Sequence, residues 1–300
     1  VIFFYLISCF KMPNLRDIKR RIKSVKNTQQ ITKAMKLVSA SKLRKAQEAI
    51  ISARPYALKL MDVLHHLSAR CNHDTHPLLD DREGKRWLVL VITSDRGLCG
   101  SFNGSIIRKA QQVISENSDK EVQLITAGKK GHTIFKNREN KILHDHSGWT
   151  RDFDYLKATE IGSTLSTLFS EKSIDRVYVL YNEFKSVMQQ EVILEQLLPI
   201  VPENLDTGKS SMSVVDYIYE PEEEAILNTL LERYMTVEVY RAFLESSASE
   251  HGARMTAMDS ASRNAGEMIG GLTLTYNKAR QAYITKELIE IVNGAEALKS

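Results

Sequence analysis

Ser94-Asp95-Arg96-Gly97-Leu98-Cys99-Gly100 is a stretch whose residue types could do chemistry, and it follows an apolar run, Trp87 to Thr93. An α/β enzyme places its reactive groups in such a turn after a strand. Cys99 would act as a nucleophile only beside a histidine base, and no recognisable base or orienting partner accompanies it. A tight glycine turn around a small buried cysteine is therefore the expected role. Gly128-Lys129-Lys130-Gly131 has the composition of a phosphate loop but not the G-x-x-x-x-G-K-[ST] spacing, and no G-x-G-x-x-G is present either. Independent nucleotide binding is not expected. His73, Asp74 and His76, and again His144, Asp145 and His146, are metal-ligand types. Both groups sit in polar stretches without the i, i+4 helical arrangement, so solvated loop histidines and no metal are expected. Cys9, Cys71 and Cys99 are far apart with no C-x-x-C pair, which argues against a disulfide scaffold or a four-cysteine zinc site.

Charge is the next feature with chemical meaning. Between Pro13 and Leu60, thirteen Lys or Arg stand against Asp17 and Glu48, a local +11 in a chain of net +4, leaving −7 for the rest. A basic arm on a mildly acidic body is expected to meet something acidic. Arg16, Lys19, Arg20, Arg21, Lys23, Lys26, Lys33 and Lys36 could grip phosphates, with Asn27, Gln29 and Gln30 at hand to read bases. An apolar seam runs through the same residues and points to helix packing instead, so no nucleic acid is expected.

The elements that carry these residues follow from periodicity. From Asn14 to Ala53 there is no proline or glycine, and apolar residues fall at Leu15, Ile18, Ile22 and Val25, then at Ile31, Met35 and Val38, with a break at Asn27 to Gln30. That spacing predicts a long amphipathic helix with a narrow seam, kinked or ended by Pro55 and resuming through Leu67. Cys71 to Arg86 reads as a loop. Strands are expected at Trp87 to Thr93, Val122 to Ala127, Val177 to Tyr181 and Glu191 to Leu198, with a helix at Ile106 to Ile114. Their alternation predicts a Rossmann-like α/β domain over about residues 85–205. After Pro221 no proline remains, and a seam runs through Tyr240, Leu244, Ser247, His251, Met255, Met258, Ser262, Ala265, Ile269, Leu272, Tyr276, Ala279 and Tyr283. Its steps of three and four include one stutter, between Ser247 and Met255. A helix from Glu222 to Asn293 would be on the order of 110 Å long. The fold class is thus α/β plus a long antiparallel coiled coil made by the two terminal helices. The small residues of its seam weaken the pair, so support from a surrounding partner is expected. The composition, 43% hydrophobic and 26% charged, is that of a soluble globular chain. The apolar start, Val1 to Lys11, is too short to span a bilayer and lacks a signal-peptide pattern, and Met12 is the expected true start. The expected division is a leader over 1–12, an N-terminal coiled-coil helix over 13–68, an α/β domain over 69–213 and a C-terminal coiled-coil helix over 214–300.

The chain resembles the gamma-subunit family of the F-type ATP synthases in four stretches: Asn14 to Met35, Ser94 to Gly100, Ala253 to Asp259 and Ile284 to Ala295. The likeness runs in order from about Asn14 to Leu298. It implies a central rotor stalk whose terminal helices turn inside a ring of three alpha and three beta subunits. The α/β domain would sit at the foot beside the epsilon subunit and the membrane c-ring. ATP would be made and hydrolysed on the beta subunits, so this chain would be non-catalytic and carry no cofactor, catalytic residue or metal. The resemblance assigns contacts with the catalytic ring to Met35 and Lys36 and to Arg280, Gln281 and Thr285, and sets the basic face against acidic segments of beta. The family's plastid members carry an inserted cysteine pair that is absent here, so thiol regulation is not expected. With no transit peptide, the implied location is the cytoplasmic face of a bacterial plasma membrane.

Overall fold

The computed structural model describes residues 14–68, 76–138, 140–150, 153–200 and 223–297, so the apolar leader, His73 and Asp74 lie outside the described residues. Two helices bracket the chain, α1 (Leu15–Ser68) and α5 (Glu223–Ala297). The residues divide into two units, 38–257 and 1–37 with 258–300, and both helices contribute to each.

The larger unit is built on a five-stranded sheet. Its elements are β1 (Arg86–Ile92), α2 (Phe102–Glu116), β2 (Glu121–Ala127), α3 (Lys129–Lys136), β3 (Ile142–Asp145), α4 (Tyr155–Ser170), β4 (Arg176–Phe184) and β5 (Gln190–Leu198). The spatial order is β3-β2-β1-β4-β5, parallel through the first four strands, with β5 antiparallel on β4. The apolar run of β1 reflects burial on both faces. Leu88, Leu90 and Ile92 point into a core with Leu165 and Phe169 of α4 and Met235 and Phe243 of α5. Val89 and Val91, displaced by one residue and hence on the opposite face, pack with Phe102, Ile106 and Ala110 of α2 and Phe135 of α3. Every expected strand and the expected helix are present. The short α3 and β3 and the serine- and threonine-rich α4 were not individually specified, because none carries a long apolar signature.

One expectation about the helices is narrowed and another corrected. Pro55 does not end α1, which runs through it to Ser68. Pro55 and Ile51 are both exposed, so the carbonyl that loses its helical donor at Pro55 can be solvated. The α1 seam also departs from the apolar residues. Buried or half-buried positions continue Val25, Gln29, Thr32, Lys36, Ser39, Leu43, with the three-four rhythm unbroken across Asn27 to Gln30. Ile31 and Val38 instead face outward at 60% and 58% exposure. Register wins over residue type here because the polar seam groups find partners. Gln29 Nε2 donates to the Ser262 carbonyl at 3.2 Å, and Thr32 Oγ1 donates to the Gln29 carbonyl at 3.0 Å.

In α5 the narrow seam holds only in the smaller unit. There Met258, Ser262 and Ala265 are buried and Ile269, Leu272, Tyr276 and Ala279 half-buried, facing an antiparallel α1. In the larger unit α5 is packed on several sides. Val239, Ala242, Phe243, Ser246 and Ser249 are fully buried, whereas Tyr240, Leu244 and Ser247 of the expected seam are only half so. No described helix is long and apolar enough to cross a membrane.

Candidate partner interface

A doubly wound sheet binds its ligand beyond the carboxyl ends of the strands, where the strand order reverses. Here that point lies between β1 and β4, and α5 occupies it. The Phe184 amide donates to the Glu245 carboxylate at 3.0 Å, and Ser249 Oγ donates to the Asn182 carbonyl at 3.0 Å. Arg254 Nη2 donates to the carbonyls of Arg96 and Gly97 at 3.4 and 3.3 Å, while Ala253 packs with Val91, Cys99 and Leu180. Arg254 also pairs with Glu250 at 2.6 Å, with side chains only 9% and 4% exposed. Burial pushes the Glu250 carboxyl up, against the pull of Arg254. Burial, then Arg254 and Lys42, push His251 down to about 4, so its imidazole is neutral at pH 7 and its Nδ1 accepts from Arg254 Nη1 at 3.3 Å. A structural helix is thus clasped where a small molecule would bind.

The other sites of chemical type are likewise absorbed into structure. Cys99 is buried, its Sγ accepts from Asn103 Nδ2 at 3.2 Å, and burial raises its thiol pKa. Gly128, at φ 97°, approaches the Thr93 carbonyl so closely that a Cβ would overlap it. The amides that could cradle phosphate are engaged by the protein itself: Lys129 N–H donates to Asp95 Oδ1 at 3.1 Å and Gly131 N–H to Thr93 Oγ1 at 2.9 Å. Asp95 also accepts from Gly148, Thr150 and the Thr150 hydroxyl. Although burial opposes it, these bonds together hold its carboxyl below the usual range. His76 Nδ1 caps the turn at Pro77–Leu79 by accepting from Leu78 N–H at 3.1 Å. Asp145 accepts from Thr126 and Ser147, and no group of three ligand-type residues is arranged for a metal among the described residues.

Of the residues assigned to ring contacts, Met35 is half-buried on α1, and Lys36 Nζ lies 2.6 Å from Asp259 Oδ1, which lowers the Asp259 carboxyl pKa. Arg280, Gln281 and Thr285 are exposed on α5. The two sets do not converge, because Arg280 follows Asp259 by 21 residues, about 30 Å of helix. Lys19, Arg21, Lys23, Lys26 and Lys33 are exposed, with no ion pair among the described residues. The Lys36–Asp259 pair is itself half-exposed, so Asp259→Asn is expected to move the thermal midpoint little. A midpoint lowered equally at low and molar salt would show that the pair holds the helices by more than charge.

Apolar residues on the outer surface went unassigned at the level of sequence. Leu37 is 71% exposed next to the outward Val38, and every residue from Arg280 to Ala297 is exposed, including Ile284, Leu288, Ile289, Ile291 and Val292. The signal available was the adjacent pairs Leu288-Ile289 and Ile291-Val292, which cannot both fit one narrow seam.

Comparisons with known proteins agree with one another. A family model described as ATP synthase matches residues 14–298. An ATP synthase gamma chain of a Geobacter species is 50% identical over 290 residues, covering 96% of this chain and 100% of that protein. One from an Anaeromyxobacter species is 51% identical over 294 residues, with the same coverage. Among solved structures, the central stalk/c-ring of the Tetrahymena thermophila mitochondrial ATP synthase includes a chain with TM-score 0.58 and 31% identity, covering 77% of this chain and 99% of that one. A chain of the Euglena gracilis mitochondrial ATP synthase shares the fold at TM-score 0.70 and 22% identity, covering 95% and 94%.

Proposed function

We propose, because the chain belongs to the ATP synthase gamma-chain family, that it is the central stalk subunit that couples ion flow through the membrane sector to ATP synthesis and hydrolysis. The observation that carries this reading is the α5 end. A helix whose apolar residues are uncovered on every side from 280 to 297 has no core of its own and needs a surrounding partner. A ring of alpha and beta subunits supplies one. An asymmetric two-helix stalk in a pseudo-threefold ring touches each beta site differently. Rotation then moves each site through open, loose and tight states by differential contact.

The remaining assignments follow. Residues 13–68 and 214–300 form the stalk, and 69–213 the foot beside the epsilon subunit and the c-ring. The chain is non-catalytic, a reading supported by the occupation of the strand-end crevice by α5. The complex sits as a peripheral assembly on the cytoplasmic face of a bacterial plasma membrane, as the bacterial relatives suggest. The exposed basic residues of α1, with Met35, Lys36, Arg280, Gln281 and Thr285, face the ring, where acidic beta segments would steer and load the stalk.

Reconstitution with alpha and beta subunits tests the reading, with stoichiometry and ATPase activity measured together. The expected product holds three alpha, three beta and one copy of this chain, with activity that depends on it. A ring that ignores the chain would remove the reading. Within the complex, Arg280→Ala is expected to slow coupled synthesis more than it disturbs folding, with a deficit that changes with salt. Normal synthesis in a normally assembled complex would take Arg280 out of the interface.

A further inference from the structure

A cavity of about 440 Å3 opens within residues 38–257 between α1, the start of α4 and α5. None of the residues assigned to ring contacts lines it. Ala53, Ala57 and Met61 of α1 and Leu244 of α5 form its apolar wall. Tyr155 and Tyr240 make an aromatic corner, with ring centroids 5.6 Å apart at 75°.

The polar wall carries excess negative charge. Glu183, Glu238 and Glu245 line it against Arg54 and Arg241. Arg241 is already engaged, 2.6 Å from Glu195 and 2.7 Å from Glu238. Glu183 holds Lys185 at 2.7 Å, and Arg54 stands exposed. Glu245 accepts from the Phe184 amide. Burial, with Glu183 adding to it, pushes the Glu245 carboxyl up in spite of that amide, Arg241 and Arg54. Its carboxylate is therefore poorly compensated beside an apolar wall and two aromatic rings, a setting that favours a cation and penalises an anion.

We propose that this cavity binds a small amphipathic organic cation, an ammonium group on an aryl or short alkyl body. The charge rests against Glu245, and the body lies between Tyr155, Tyr240 and the α1 wall. The volume lies within the range that takes drug-sized ligands, and few polar groups are needed to orient one.

The test is made on the purified full chain by calorimetry, apart from any reconstituted activity, with three probes of one shape: 4-phenylbutylamine, 4-phenylbutanol and 4-phenylbutyrate. The amine is expected to bind at one site about tenfold more tightly than the alcohol, through a charge-assisted hydrogen bond, and the carboxylate not at all. Glu245→Gln keeps an oxygen for the Phe184 amide and is expected to bring the amine down to the alcohol's affinity. Tyr155→Ala alters a half-exposed side chain and is expected to leave the fold intact while weakening amine and alcohol alike. The proposal is overturned by the absence of saturable amine binding or by alcohol or carboxylate binding as tightly as the amine. It is equally overturned by amine affinity that Glu245→Gln leaves unchanged.

Discussion

Arg254→Met is expected to destabilise the unit of residues 38–257 by about 3–5 kcal/mol, the usual cost of removing one partner from a buried ion pair. The substitution keeps a helix-favouring side chain of similar length, so helix propensity contributes little to the loss. What remains is Glu250, its side chain 4% exposed, with only the coulombic pull of Lys42, and the carbonyls of Arg96 and Gly97 without their donor. Urea unfolding followed by the fluorescence of Trp87 and Trp149, both in this unit, reads the change directly. The deficit should depend on pH in a defined direction. Burial already raises the folded-state carboxyl of Glu250 above its ordinary 4.5, so its contribution is complete below that value and is lost as pH rises through the folded one. Removing Arg254 raises the carboxyl further. The deficit is thus smallest near about pH 4 and widens towards neutrality, and a second change, Glu250→Gln, should recover much of it. A loss under about 1 kcal/mol, or one that is flat with pH, would show that Glu250 is not left buried and charged.

The same pair shows where sequence reading stops. The strands were legible because Leu88 to Ile92 and Val177 to Tyr181 are apolar runs of strand length bounded by turn residues. The α5 seam from Met258 to Ala279 was legible because one neighbouring helix buries one face. Spacing put His251 in the seam, but nothing in it says that Glu250 and Arg254 are buried as well. Their burial comes from the docking of α5 across β1 and β4, a contact between residues some 70 to 160 positions apart. Ile31 and Val38 failed for a related reason. Apolar type was read as inward, whereas Gln29 and Thr32 fill the seam with their hydrogen bonds satisfied, leaving the apolar residues outside. Such residues fit a helix whose outer face also meets protein. At the Gly128 turn the Asp95 carboxylate and Thr93 hydroxyl accept from the backbone donors, which only side-chain placement reveals.

Leu288→Asp separates a stalk surrounded by partners from a helix that merely extends into solvent. Leu288 is 58% exposed in the isolated chain, and Ile284 and Ile291 stand on the same helical face at i−4 and i+3. With no buried contact to lose, the variant is expected to fold with unchanged fluorescence and thermal midpoint. In the assembled ring the position is expected to be covered. There the change forfeits about 1.5–3 kcal/mol of leucine burial and sets a carboxylate against apolar surface. Assembly should therefore weaken by roughly 100-fold, with coupled synthesis falling accordingly. Salt distinguishes this loss from that of Arg280→Ala, because a deficit of apolar contact persists in high salt whereas an ion-pair deficit is masked there. Retention of normal assembly and synthesis by Leu288→Asp would mean that the ring leaves this face of α5 in water, and the requirement for a surrounding partner would then rest on the other apolar faces alone.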